Sequence, residues 1–228
     1  MSNITYRRGQ AEWALWRLFT MGRGPLPEDP PHAFKARIKK LLDLDREQAG
    51  ASIATPGRAF GDTKAKTQAR DAAFEAFDVF CLALALDLVD AGYLQAEAVA
   101  VLRCSRLELR KEFHRISKLH PPPSRARSLS KDYPKLPNYV DGAAEIADAQ
   151  VFLILSKRTV AEALPSLRGA PHSVVLAPRL VRGRTALMRA MSLSFSKRSE
   201  LVLEIAGAAK LIEGFLIRAP LITRARKT

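Results

Sequence analysis

The chain has 228 residues, 47% hydrophobic and 26% charged, which is typical of a globular protein with one large domain or two small ones. Its two cysteines exclude a disulfide framework and fit a reducing compartment. The longest apolar run, residues 79–86, is far shorter than the roughly 20 residues that a membrane span needs. Arg7, Arg8 and Glu12 interrupt any apolar run near the N-terminus, so we expect no signal peptide and a cytoplasmic location.

The net charge is +14, and it is distributed unevenly. Residues 1–70 carry a net charge of +6 and residues 142–228 one of +8, whereas residues 71–119 carry −2 and residues 120–141 carry +2. A basic balance of this size favours a polyanionic partner. Nucleic acid is the first candidate and an anionic membrane surface the second.

Two helices are predicted in the first basic flank. Residues 6–21 place Trp13, Trp16 and Phe19 on one helical face, and glycine and proline at residues 22–25 end this helix. Residues 32–46 form the second predicted helix, because large apolar residues recur there at i, i+4, i+7 and i+8. This apolar stripe consists of Phe34, Ile38, Leu41 and Leu42.

The second helix also carries a dense cationic face, made up of Lys35, Arg37, Lys39 and Lys40. A helix with one core face and one cationic face can lie in the major groove of DNA or along its phosphates, so these residues are predicted to bind DNA. The alternative is a solvated face without a partner. Arg7 and Arg8 are predicted to contact phosphate.

Residues 48–68 lack a helical period and contain several glycines and a proline, which predicts a loop or short hairpin. Its basic residues Arg58, Lys64 and Lys66 are predicted to contact phosphate. The alternative is a disordered connector.

The stretch 71–119 predicts a buried helix, a glycine break and two amphipathic helices. Apolar residues cover most of the circumference of residues 74–90, which is typical of a helix buried on several sides. Gly92 has the position of a left-handed residue that ends a helix. Residues 93–103 and 107–119 then carry one apolar stripe each. Cys81 and Cys104 lie in these helices and are interpreted as core residues.

Residues 86–102, with the sequence LDLVDAGYLQAEAVAVL, resemble the helices that follow the wing in MerR-type winged helix-turn-helix regulators. The resemblance implies that residues 48–68 are the wing and that residues 6–21 and 32–46 are the preceding helix-turn-helix. The chain departs from the family in its longer link at residues 22–31. It also lacks the arginine and the paired tyrosines that follow the second helix.

A basic linker rich in proline is predicted at residues 120–141. Beyond it, residues 149–155 predict a buried strand and residues 173–177 a second strand, with a short helix or turn at 160–167. Residues 179–184 are predicted to be a loop and residues 197–218 a long final helix. The expected fold is mainly α, with a winged-helix-like module at 1–119 and a small α+β module for dimerisation or sensing at 142–228.

The sequence contains no catalytic or metal-binding pattern. The four histidines stand alone, no Walker A, G-x-G-x-x-G or G-x-S-x-G motif occurs, and no carboxylate pair suggests an acid and a base. We therefore expect no enzyme activity, metal or cofactor. The predicted function is that of a DNA-binding transcriptional regulator that acts on double-stranded DNA as a homodimer. The alternative is an adaptor that uses the basic surface and the last helix to bind RNA or an acidic protein.

Overall fold

The computed structural model describes residues 4–21, 27–51, 57–61, 73–119, 150–159, 173–175, 178–192 and 200–220. The N-terminal elements are β1 (Tyr6–Arg7), α1 (Arg8–Phe19), α2 (His32–Ala51), β2 (Ala73–Phe74), α3 (Ala76–Asp90) and α4 (Gln95–Leu119). The C-terminal elements are β3 (Val151–Thr159), β4 (Ser173–Val175), β5 (Arg179–Arg182), α5 (Arg184–Ser192), β6 (Glu200–Glu204) and α6 (Ala206–Arg218). The predicted fold class, mainly α with a small α+β C-terminal part, is confirmed.

Helix α3 lies at the centre of the core. All its residues from Phe77 to Leu86 are buried, as expected for a helix that is apolar over most of its circumference. The helix ends at a turn in which Gly92 has φ +90°, a left-handed conformation that favours glycine. The N–H of Tyr93 donates to the Leu88 carbonyl across this turn, at 3.0 Å. The predicted glycine break is therefore confirmed, and it directs α4 back along α3.

Helix α4 is one continuous helix, and the prediction of two helices at 93–103 and 107–119 was wrong. No glycine or proline interrupts the sequence between them, and the Ser105 hydroxyl bonds to the Val101 carbonyl within the helix. One buried stripe continues along its whole length, through Ala98, Leu102, Ser105, Leu109, Phe113 and Ile116. Leu107, which seemed to start a new stripe, is 67% exposed.

The C-terminal sheet is built around β3. This strand pairs antiparallel with β5 and β6, and at its C-terminal end with β4, so the two predicted strands are confirmed. Val151, Leu153 and Leu155 face the helical core, and β3 is buried from Val151 to Ser156. A strand covered in this way needs hydrogen-bonding partners on both sides.

Two further predictions for this region were wrong, because they left β3 without the neighbouring strands that it needs. Residues 179–182, predicted as a loop, form β5, and only Gly183 forms the bend that follows. Residues 200–204, predicted as part of a long helix, form β6, so the last helix begins at Ala206. The Glu204 carboxylate accepts hydrogen bonds from the N–H groups of Ala206 and Gly207, at 3.0 and 3.1 Å, and marks this boundary.

The last helix, α6, packs against α1, α3 and α4. Its buried residues, which include Ile212, Phe215 and Leu216, belong to the same hydrophobic cluster as Leu15 of α1 and Phe77 of α3. Residues from both predicted modules therefore contribute to one core. The predicted linker at 120–141 and the helix or turn at 160–167 lie outside the described residues.

Candidate nucleic-acid interface

Helix α2 has the two faces that its sequence predicts. Phe34, Ile38 and Leu41 are buried, and the Phe34 ring meets the Trp16 ring edge to face at a centroid distance of 5.3 Å. Lys39 and Lys40 are exposed on the opposite side. The helix continues to Ala51, five residues beyond its predicted end, and passes through Gly50, which was counted among the loop glycines. The basic side chains therefore lie on a helix that the core holds firmly.

The predicted DNA-binding residues differ in their surroundings. In the part of the chain that the structure describes, Lys35, Lys39 and Lys40 form no ion pair, and Lys35 is half-buried. Arg37 instead pairs with Asp90 at the end of α3, which neutralises part of its charge. The three lysines are therefore the strongest cationic group on this helix.

The remaining predicted residues lie elsewhere. Arg7 is exposed in β1, and Arg8 pairs with Glu12 at 2.7 Å within α1. Lys64 and Lys66 lie outside the described residues. Arg58 is partly exposed in the 57–61 loop and belongs to the described part of the predicted wing. We take α2 and this loop as the candidate interface; the assignment of Arg7 and Arg8 stays a prediction.

The 57–61 loop is fixed to the core on one side. Ala59 and Phe60 are buried, and glycines with φ +114° and +97°, Gly57 and Gly61, stand at the two ends of the loop. These left-handed conformations let the chain turn sharply into the core and out again. Arg58 lies between the first turn and the buried pair, so its backbone position is determined by its neighbours.

Asp45 of α2 supplies most of the anchoring. Its carboxylate accepts hydrogen bonds from the N–H groups of Ala59 and Phe60, at 2.8 and 3.1 Å. It also accepts from Nε and Nη2 of Arg103, at 3.0 and 2.8 Å, and Nη2 donates in addition to the Asp45 carbonyl. The side chains of Arg103 and Asp45 are only 4% and 2% exposed, so this is a buried ion pair.

A second arginine of α4 completes the arrangement. Arg106 donates to the carbonyl of Ala59 and, through Nη2, to the Asp78 carboxylate of α3 at 2.7 Å. Its guanidinium lies 5.0 Å from the centroid of the Phe77 ring. We call Asp45, Asp78, Arg103 and Arg106, with the backbone of Ala59 and Phe60, the Asp45 network. It joins α2, α3, α4 and the loop at one place.

Our sequence interpretation missed the Asp45 network. One signal was present: Asp45 follows Leu41 by four residues and Ile38 by seven, so it continues the buried stripe of α2 with a charged side chain. A carboxylate in such a position needs a buried cationic partner. The identity of that partner depends on the packing of α4 against α2, which sequence spacing does not give.

The end of α3 is acidic. Burial, and secondly the neighbouring Asp90 carboxylate, raise the pKa of Asp87 to about 6. Asp90 pairs with Arg37, so the acidic end of α3 lies next to Arg37 of α2. An anionic ligand is therefore favoured more by Lys39 and Lys40 than by Arg37.

The two cysteines are free thiols that differ in burial. Cys81 is buried, which raises the pKa of its thiol, as expected for a core cysteine. Cys104 is exposed, so its interpretation as a core residue was wrong; it lies on the outer face of α4. Within the described ranges, no group of three or more His, Cys, Asp and Glu side chains is suitably placed to hold a metal ion.

Helix α4 is also connected to the C-terminal sheet by charge. The buried Glu112 carboxylate accepts hydrogen bonds from Arg182 of β5 and from Arg115, at 2.9 Å for the latter. Burial raises the pKa of Glu112, but these two arginines outweigh it and hold the pKa below its usual value. The C-terminal sheet is thus attached to the same helix that supports the 57–61 loop.

Among the helices that the structure describes, none combines the length and apolar character needed to cross a bilayer. Comparison of the chain with protein-family models, curated proteins and solved structures gave no match, so the interface is interpreted from its own geometry and charge.

Proposed function

We propose that this chain is a transcriptional regulator that binds double-stranded DNA through the lysines of α2 and the 57–61 loop. The observation that carries the proposal is the exposed pair Lys39 and Lys40, which has no acidic partner in the described residues and lies on a helix anchored by its opposite face. Cations held in this way can meet phosphates without first breaking ion pairs within the protein.

Three further features support this choice. The net charge of +14 favours a polyanion. The order of α3, the turn at Gly92 and α4 is the order that the resemblance to MerR-type regulators implies for residues 86–102. The predicted wing contains the anchored 57–61 loop, which presents Arg58. Such regulators commonly act as dimers, so a homodimer is the assembly we propose.

The test is a pair of charge-reversal variants. Lys39→Glu with Lys40→Glu should abolish the gel shift of a mixed-sequence duplex and leave the helical circular dichroism signal intact. Lys118→Glu with Lys210→Glu is the matched control, because these lysines are exposed on α4 and α6 and their reversal changes the net charge by the same amount. Unchanged binding by the α2 variant, or equal loss in both variants, would refute the assignment of α2.

Salt dependence provides a second measurement. The logarithm of the affinity should fall by about 0.9 per logarithm of salt concentration for each phosphate contact. A wild-type slope near zero would contradict binding through phosphates.

The alternative, RNA or an acidic protein as partner, rests on the same basic surface. The apolar face of α6, which this alternative would use for docking, packs inside the chain against α1, α3 and α4. Competition separates the candidates: an unlabelled duplex should displace the labelled duplex better than single-stranded RNA of equal length does. Stronger displacement by RNA would favour the alternative.

A further inference from the structure

The backbone of the 57–61 loop is held at three consecutive polar groups. Asp45 accepts hydrogen bonds from the N–H groups of Ala59 and Phe60, and Arg106 donates to the carbonyl of Ala59. Both side chains are themselves fixed, Asp45 by Arg103 and Arg106 by Asp78. The loop therefore has one defined position relative to α2.

Stabilisation of the fold is, by itself, a weak explanation for the buried ion pair of Asp45 and Arg103. A buried ion pair is often no more stabilising than apolar side chains of similar volume, because its charges lose their hydration. Apolar side chains would nevertheless leave the N–H groups of Ala59 and Phe60 without acceptors. What the Asp45 network adds, and what apolar packing would not, is a fixed backbone geometry at the residue that precedes Ala59.

That residue is Arg58, which is partly exposed and forms no hydrogen bond or ion pair with other described residues. A side chain on a fixed loop loses less conformational freedom on binding than one on a mobile loop. Asp45 lies six residues beyond Lys39 in α2, an axial separation of about 9 Å that is well within the roughly 34 Å of one turn of duplex. Asp45 is on the buried face of α2 and the two lysines are on its exposed face, so one duplex meets both the lysines and the loop only if the Arg58 side chain extends to the exposed side of α2.

We propose that Asp45 is a positioning residue, which fixes the 57–61 loop so that Arg58 contacts a phosphate of the duplex bound by Lys39 and Lys40. This inference rests on the proposed function and deepens it. Asp45 itself is buried and does not touch DNA. Its effect on binding passes through Arg58 alone.

The test is a double-mutant cycle with Asp45→Asn and Arg58→Ala in the full chain. Binding of a labelled mixed-sequence duplex is measured by fluorescence anisotropy between about 50 and 200 mM salt. Arg58→Ala should weaken binding by roughly tenfold and reduce the log–log salt slope by about one, as expected for one lost phosphate contact. Asp45→Asn should do the same, and the double variant should bind no worse than Arg58→Ala alone.

Additional measurements separate positioning from loss of stability. Asp45→Asn should accelerate hydrogen exchange at the amides of Ala59 and Phe60, because the asparagine amide keeps only one of the two oxygens that accept from them. Ile212→Val, a core change in α6, which supplies no residue of the Asp45 network, serves as a destabilised control and should leave the salt slope unchanged. If Asp45→Asn does not fold, Arg106→Lys takes its place in the cycle, because lysine keeps the charge but cannot reach both Ala59 and Asp78.

The outcomes distinguish this inference from the proposed function. Additive effects of Asp45→Asn and Arg58→Ala, or an unchanged salt slope in either variant, would overturn the positioning role while binding through Lys39 and Lys40 stands. A wild-type protein that does not bind the duplex would overturn the proposed function, and the positioning role with it.

Discussion

We expect the ionised Asp87 carboxylate to lower the stability of the folded protein at neutral pH, and its replacement tests this directly. Burial and the nearby Asp90 carboxylate raise the pKa of Asp87 from 3.8 to about 6. Each unit of pKa difference between the folded and unfolded states corresponds to about 1.4 kcal/mol. The full shift therefore corresponds to roughly 3 kcal/mol, and partial exposure of the side chain reduces this to about 1–3 kcal/mol.

The sign of the effect follows from proton binding. The folded state binds the Asp87 proton more tightly than the unfolded state does, so the carboxyl group imposes no penalty below pH 3.8. The penalty grows as the pH rises towards about 6 and is complete above it. Asp87→Asn removes the ionised form, so the variant should be more stable than the wild type at pH 8, and the difference should shrink as the pH falls to 4.

Urea unfolding monitored by circular dichroism, repeated at several pH values, measures the difference in the free energy of unfolding between Asp87→Asn and the wild type. For a protein of this size, a gain of about 2 kcal/mol corresponds to a rise in Tm of roughly 4–8 °C. Asp43→Asn is the control, because it also removes a carboxylate but breaks only the exposed pair with Arg46, which contributes about 1 kcal/mol at most. A stability difference for Asp87→Asn that does not change with pH, or a loss of stability at pH 8, would refute the reasoning.

Two further changes test the supports of the candidate interface. Arg103→Met leaves the Asp45 carboxylate buried without its charged partner and should lower the free energy of unfolding by about 3–5 kcal/mol; a loss below about 1 kcal/mol in urea titration would show that water replaces the guanidinium. Gly92→Ala forces a side chain into a left-handed conformation and should destabilise the protein by about 1–2 kcal/mol. Since a Cβ there would meet no atom within 4 Å, thermal unfolding of this variant reports backbone strain rather than a clash.

The elements that the sequence predicts best are those whose own residues are enough to identify them, without knowledge of what they pack against. Helix α3 is apolar over most of its circumference, and β3 begins with the continuous apolar run 151–155, so α3 and the first part of β3 were predicted close to their observed positions. The five residues of β6 were predicted to be helical because Leu201 fits the apolar stripe that continues through Ile205 and Ala208 into α6. The pairing of Leu201 and Leu203 with Leu155 and Leu153 of β3, more than forty residues earlier, makes this segment a strand.

The basic residues of the candidate interface could be predicted from the sequence, but the ion pairs that hold α2 against α3 and α4 could not. Lys39 and Lys40 are recognisable because they lie opposite a clear apolar stripe. The ion pair of Arg37 with Asp90 and the burial of Asp45 against Arg103 join residues more than fifty positions apart. Neither contact leaves a local pattern, since each arises only when α2 packs against α3 and α4.

The position of α6 has a consequence for synthesis. The basic N-terminal helices leave the ribosome long before Ile212, Phe215 and Leu216, which cover part of α1, α3 and α4 in the finished protein. Until α6 has been synthesised, the apolar side chains that it buries on these helices are exposed to solvent. Nascent chains in this state are prone to aggregate. The lysines of α2 keep such a nascent chain strongly charged, so the same residues that are proposed to meet DNA also oppose self-association during translation.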